Sequence, residues 1–184
     1  MSFTVRNTLV ESSVNKSLNA LNDQNKNIAF CNATVSNLPV YFVLHSDTGG
    51  NVPEGAHVIT GNYWNPIPFD TFNGYRQHIY FDGGGYFYVA NPGYYKATIN
   101  FTANVSDTTT SSHPVTLSMM NQSSGENNLY FPFELTSTPN TYSFTGILPS
   151  SMYDYNGDIH FSFNTNEVIT IKVSSISVTL SFYV

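Results

Sequence analysis

The sequence has little charge, almost no cysteine and few strong helix formers. Charged residues make up 10% of its 184 positions, with six basic residues against twelve acidic ones and a net charge of −6. Neutralising nucleic-acid phosphates takes lysine and arginine in number, and the six present form no cluster, so a general nucleic-acid binder is excluded. A single cysteine, Cys31, rules out an internal disulfide and a cysteine-based zinc site, and reads as a small buried hydrophobe. No apolar run approaches the length that spans a bilayer, so no membrane insertion is expected. The opening stretch, MSFTVRNTLVESS, lacks the apolar core and small-residue cleavage site of a secretion signal.

What is abundant points to sheets. Aromatics are 15% of the chain, and asparagine, serine and threonine together are roughly a third. Threonine, valine, isoleucine, tyrosine and phenylalanine pack well on a pleated surface, and they dominate from Ile28 onward. The expected fold class is all-β, and the length suits one domain of ordinary size.

Residues 1–27 differ from the rest, with no aromatic after Phe3 and much asparagine and serine. Val10, Val14, Leu18 and Leu21 fall at spacings that allow one narrow helical stripe, so this segment reads as an attachment arm, either extended or a short helix. The head then occupies residues 28–184. Thirteen strand candidates follow in it, among them Ile67–Asp70, Leu129–Leu135, Asp158–Asn164, Val168–Val173 and Ser175–Val184, and eight to ten separate strands are expected once some merge. Ile99, Phe101, Ala103 and Val105 alternate with Asn100, Thr102 and Asn104; Ile176, Val178, Leu180 and Phe182 alternate with serine and threonine. Such period-two runs belong to antiparallel strands with one wet face. An antiparallel two-sheet β-sandwich or jelly roll is predicted.

The stretch Tyr80–Tyr95, YFDGGGYFYVANPGYY, carries the most specific pattern. Its glycine run, Gly83–Gly85, marks a turn, a bulge or a close backbone approach. Tyr80, Gly85, Phe87, Pro92, Gly93 and Tyr95, with Ala29-Phe30 and Ile67, Phe69 and Asp70 before them, have the spacing of the globular head of the C1q/TNF-like jelly-roll superfamily, which this chain resembles. Val115–Asn121 and Gly157–Phe161 match its later strands. The segment between Val35 and Pro66 is longer than that pattern, and the closing strand lacks its Phe-x-Gly-Phe. The resemblance implies a ten-stranded, two-sheet jelly roll that assembles as a homotrimer. It makes Phe69, Tyr80, Phe87, Tyr95, Phe101 and Phe182 the fold and trimer-interface candidates. Segments such as GYFYVA and NLYFPFEL, with aromatics at neighbouring positions, also suggest faces that a second subunit covers.

Little in the sequence points to catalysis. Five histidines are scattered without a His-x-His pair, and no Gly-x-Ser-x-Gly elbow is present. Asp82, Asp154 and Asp158 sit in loops of a kind that can supply oxygen ligands to calcium, which some members of the superfamily bind; capping of local turns is the simpler role. No other cofactor is expected. The reading that combines these features is a non-enzymatic virion structural protein, a trimeric head at a capsid vertex, spike or fibre. Its arm would join other virion or scaffold proteins, and its polar loops would meet a host receptor or glycan. The alternative is a secreted or surface-displayed C1q-like binding module, lectin-like or on a spore surface.

Overall fold

The computed structural model describes residues 30–44, 58–61, 66–75, 79–81, 84–89, 93–106, 111–121, 128–150 and 158–183. The arm expected over residues 1–27 lies outside the described residues. The described chain forms twelve strands: β1 (Phe30–Thr34), β2 (Val40–Leu44), β3 (Val58–Gly61), β4 (Thr71–Tyr75), β5 (Ile79–Phe81), β6 (Phe87–Val89), β7 (Gly93–Val105), β8 (His113–Asn121), β9 (Leu129–Leu135), β10 (Asn140–Ser150), β11 (Asp158–Asn164) and β12 (Ile169–Tyr183). That exceeds the ten implied by the resemblance. Two of them, β2 and β3, come from the stretch between Val35 and Pro66 that is longer than the pattern.

The strands divide into two sheets. The first runs β10-β7-β12-β1-β4, with β2 also paired to β12 and β3 lying beyond β2; the second runs β5-β6-β11-β8-β9. All pairings are antiparallel except β2 with β3. From β7 onward the chain passes back and forth between the sheets, which makes the sandwich a jelly roll.

Strands β7 and β12 form the spine, paired from Tyr94↔Tyr183 to Val105↔Ile171. Tyr95, Ala97, Ile99, Phe101, Ala103 and Val105 face the core, as their alternation predicts. The candidates Val168–Val173 and Ser175–Val184 prove to be one strand. Its first half pairs with β2 and its second half with β1. A register shift between Val173 and Ser175 leaves both Ser174 and Ser175 exposed. The extra residue restores parity, so Ile176, Val178 and Leu180 return to the face already used by Ile169, Ile171 and Val173.

Ile67–Asp70 is not a strand. The Ile67 N–H donates to the Phe161 carbonyl at 2.7 Å, in the second sheet, and the Asp70 N–H donates to the Thr34 carbonyl at 3.0 Å, in the first. A segment that crosses between sheets cannot run along a ladder, although it buries Ile67 and Phe69 with the alternation of one.

The core is aromatic at both ends. Phe69, Phe87 and Phe161 pack at centroid distances of 5.7 to 6.1 Å, and Phe163 contacts Phe42 at 5.3 Å and Phe101 at 5.1 Å, mostly edge to face. Gly85 resolves the role of the glycine run as a close approach. Its φ is 95°, and a Cβ there would overlap the Ile67 carbonyl oxygen.

Candidate functional site: an aromatic edge and a hydroxyl-lined face

Strand β10 ends the first sheet and β9 ends the second, so the sandwich is open between them. Phe131 and Phe133 of β9 and Tyr142 and Phe144 of β10 point into that opening and stay half-buried, because among the described residues no further strand covers them. They interlock: Phe133 lies 4.8 Å from Tyr142 and 5.6 Å from Phe144, and Phe131 lies 5.3 Å from Phe144. The Tyr142 hydroxyl donates to the Glu134 carbonyl at 2.6 Å and ties one edge to the other. Burial raises the Tyr142 phenol above its ordinary value, against a lowering hydrogen bond with Asn140, and the Glu134 charge adds to the rise.

Beside this seam the missing side chain of Gly146 is filled by Leu129, with Met119 Sδ 3.2 Å and Phe131 Cζ 3.3 Å from where a Cβ would stand. A groove of about 500 Å³ opens there, lined by Lys96, Leu129, Phe131, Thr145, Gly146 and Ile147. Ile147 is 43% exposed, Tyr130 52% and Tyr94 57%. Strand β9, which carries the pattern NLYFPFEL, leaves one of its faces exposed. Its burial alternates, with Tyr130, Pro132 and Glu134 outward.

The outward face of the first sheet has a different chemistry. Register lines up Thr145, Thr98, Thr179, Asn32 and Asn73 across five strands, and Ser143, Asn100, Ser177, Thr34 and Thr71 in the row beside them. Thr98 and Thr145 share a 2.9 Å hydrogen bond between hydroxyls, as do Thr102 and Thr141. No charged residue interrupts these two rows. The outward side of the second sheet is instead buried along β11. Asn164 Nδ2 donates to Ser118 Oγ at 2.9 Å and to Ser162 Oγ at 3.4 Å, and His160 packs on Tyr86 with centroids 5.3 Å apart.

No known family profile and no curated protein matches the sequence. Solved structures do match the fold. Eiger TNF from S. frugiperda superposes with a TM-score of 0.50 at 12% identity, covering 85% of this chain and 93% of its own. PRD1 vertex protein P5 gives 0.50 at 12% identity, covering 84% and 73%. The fold is a C1q/TNF-like jelly roll.

Within this jelly roll the six aromatic candidates take different places. Phe69, Phe87, Tyr95 and Phe101 are at most 1% exposed, so their rings are held in the chain's own core and a second subunit cannot reach them. Tyr80 lies on β5 opposite Tyr88, and Phe182 on β12 opposite Tyr95. Among the described residues, Leu38, Tyr94 and Val168 are exposed elsewhere, while Phe131, Phe133, Tyr142, Phe144 and Ile147, which the family pattern does not single out, gather apolar surface at one edge. Their signal in the sequence is two aromatic alternating runs close together, LYFPFEL and TYSF.

Of the calcium candidates, Asp82 and Asp154 lie outside the described residues, and Asp158 opens β11 opposite Tyr88. Among the described residues no three histidine, cysteine or acidic side chains come together as a metal site. His45, His57 and His78 lie outside the described residues, and His113 stands at the start of β8. No helix among them is long and apolar enough to cross a membrane.

Proposed function

We propose that this chain is the non-enzymatic head of a virion structural protein, a homotrimeric jelly roll at a capsid vertex, spike or fibre with an attachment role. The β9–β10 edge carries the reading. Four half-buried aromatics and the exposed Ile147 and Tyr130 line two neighbouring edge strands, a surface that a lone chain leaves wet and a second copy covers. The fold likeness to PRD1 vertex protein P5 supports a vertex position, and the low charge of the head suits a surface held by shape and hydrogen bonds. Residues 1–27 would join the head to other virion or scaffold proteins, leaving it at the virion surface.

The hydroxyl and amide rows favour a second reading, a secreted or surface-displayed binding module of lectin-like or spore-surface type. Many weak polar contacts of that kind suit a glycan or protein partner.

Light scattering of the full chain tests the assembly. Three chain masses are expected at micromolar concentration, and a clean monomer there would sink it. Ile147→Glu should dissociate the trimer while leaving the circular dichroism spectrum unchanged. Mass spectrometry of gradient-purified particles separates the two roles: recovery beside capsid proteins supports the first, and recovery only from the secreted or cell-surface fraction supports the second.

A further inference from the structure

At the entry to β8, Ser111 and His113 meet, with Ser111 Oγ 3.4 Å from His113 Nε2. The opposite ring nitrogen, Nδ1, lies 2.6 Å from Glu167 Oε2, which the turn between β11 and β12 brings from 54 residues away. That turn is tied to the same place. The Glu167 N–H donates to Thr165 Oγ1 at 3.2 Å, and the Thr165 hydroxyl donates to the carbonyl of Pro114, the residue after His113, at 2.7 Å. The His113 side chain is only 14% exposed, whereas Ser111 is open to solvent. The neighbouring hydroxyl of Ser112 is directed elsewhere, onto Glu134.

Hydroxyl, imidazole and carboxylate thus stand in series through the two different ring nitrogens. This is the order in which a proton taken from a hydroxyl at Nε2 creates an imidazolium whose Nδ1–H faces a carboxylate. We propose that Ser111 is an acyl-accepting nucleophile, with His113 as its base and Glu167 as a positioning residue, and that it takes the acyl group from small activated esters.

In the step, Ser111 Oγ forms a bond to the ester carbonyl carbon as its proton passes to His113 Nε2. The tetrahedral oxyanion collapses, the bond to the leaving oxygen breaks with its electron pair on that oxygen, and Nε2 returns the proton there. Acyl-Ser111 and a free alcohol result, with nothing oxidised or reduced. Ser111 is an exposed residue rather than one in an enclosed pocket, which suits small, intrinsically reactive esters over a substrate that needs a shaped site. Because the acylated chain is itself the product, the site does not require turnover.

The test uses the full chain with p-nitrophenyl acetate and, separately, a fluorophosphonate probe, whose P–F bond breaks as Oγ bonds to phosphorus. Adducts are located by peptide mass spectrometry. Ser111 should label at least about tenfold faster than Ser112, whose hydroxyl is bonded to Glu134 rather than to an imidazole. His113→Gln should lower the Ser111 rate by about tenfold or more. Glu167→Gln should lower it and shift its pH dependence, and Glu167→Asp should restore it. Equal labelling of Ser111 and Ser112 in the unmodified chain would overturn the proposal without relying on any variant to fold. So would a Ser111 rate unchanged by His113→Gln in protein with an unaltered circular dichroism spectrum.

Discussion

Phe101 and Phe133 meet across the sandwich with ring centroids 5.5 Å apart and planes at 65°, one from β7 in the first sheet and the other from β9 in the second. Phe101 is 1% exposed, stacks on Tyr142 at 5.2 Å and reaches Phe144 at 6.1 Å, so one core ring backs three of the four edge aromatics. Phe101→Ala should cost about 3–5 kcal/mol, the usual loss for a fully buried phenylalanine. Phe133→Ala removes a half-buried ring and should cost clearly less while weakening assembly. Denaturant midpoints and light scattering on the same two variants measure both effects.

Gly85 and Gly146 are irreplaceable for different reasons. At Gly146 an added Cβ meets the ends of side chains, Leu129 first, which can shift; Gly146→Ala should cost about 1–3 kcal/mol, as overpacking does. At Gly85 the obstacle is the Ile67 backbone carbonyl, and the φ of 95° adds strain for any side chain. Gly85→Ala should therefore lose more than Gly146→Ala. A comparison of urea midpoints at unchanged slope decides it.

Asp70 should confer a stability that acid removes. The Ser36 hydroxyl donates to Asp70 Oδ2 at 2.6 Å and the Ser36 N–H to Oδ1 at 2.8 Å; the hydroxyl's bond first, helped by the N–H, holds the carboxyl below its ordinary value against the opposing effect of burial. A depressed folded-state pKa stabilises above the unfolded value, and that stability is lost as pH falls through the folded one. Asp70→Asn should lower the melting temperature at neutral pH, and the gap to the unmodified chain should close as pH drops below the ordinary carboxylate range. A gap that stays constant to about pH 2 would contradict the assignment.

Cys31 should be inert until the chain unfolds. It is fully buried as the second residue of β1, and burial pushes its thiol up to about 12, against a lowering backbone hydrogen bond with Leu180. The thiolate is the reactive form, so a disulfide reagent such as DTNB at about pH 8 should find no thiol in the native protein and one per chain in denaturant.

The local pattern was legible where punctuation and alternation agreed. Leu129–Leu135 and Asp158–Asn164 are strands with the bounds the sequence suggests, and Ile99 to Val105 face the side their alternation assigns. Ile67–Asp70 misled because two buried residues with one between them look alike in a strand and in a crossing segment. Ser174 misled because a bulge and a strand end look alike until the partner strands are known. The acyl-accepting site left no trace, since Glu167 lies 54 residues from His113 and reaches it only when the β11–β12 turn comes beside the start of β8.

The sequence by itself determined an all-β chain, its inward and outward residues and a core rich in phenylalanine, because alternation and β-propensity are carried by neighbouring residues. The tertiary structure decided which strands became edges. That choice, set by pairings between segments far apart in the chain, left Phe131, Phe133, Tyr142 and Phe144 half-covered while it enclosed Phe69, Phe87, Tyr95 and Phe101. An aromatic side chain has the same affinity for cover in either place, and only the position of its strand in the sheet settles whether its own chain supplies that cover.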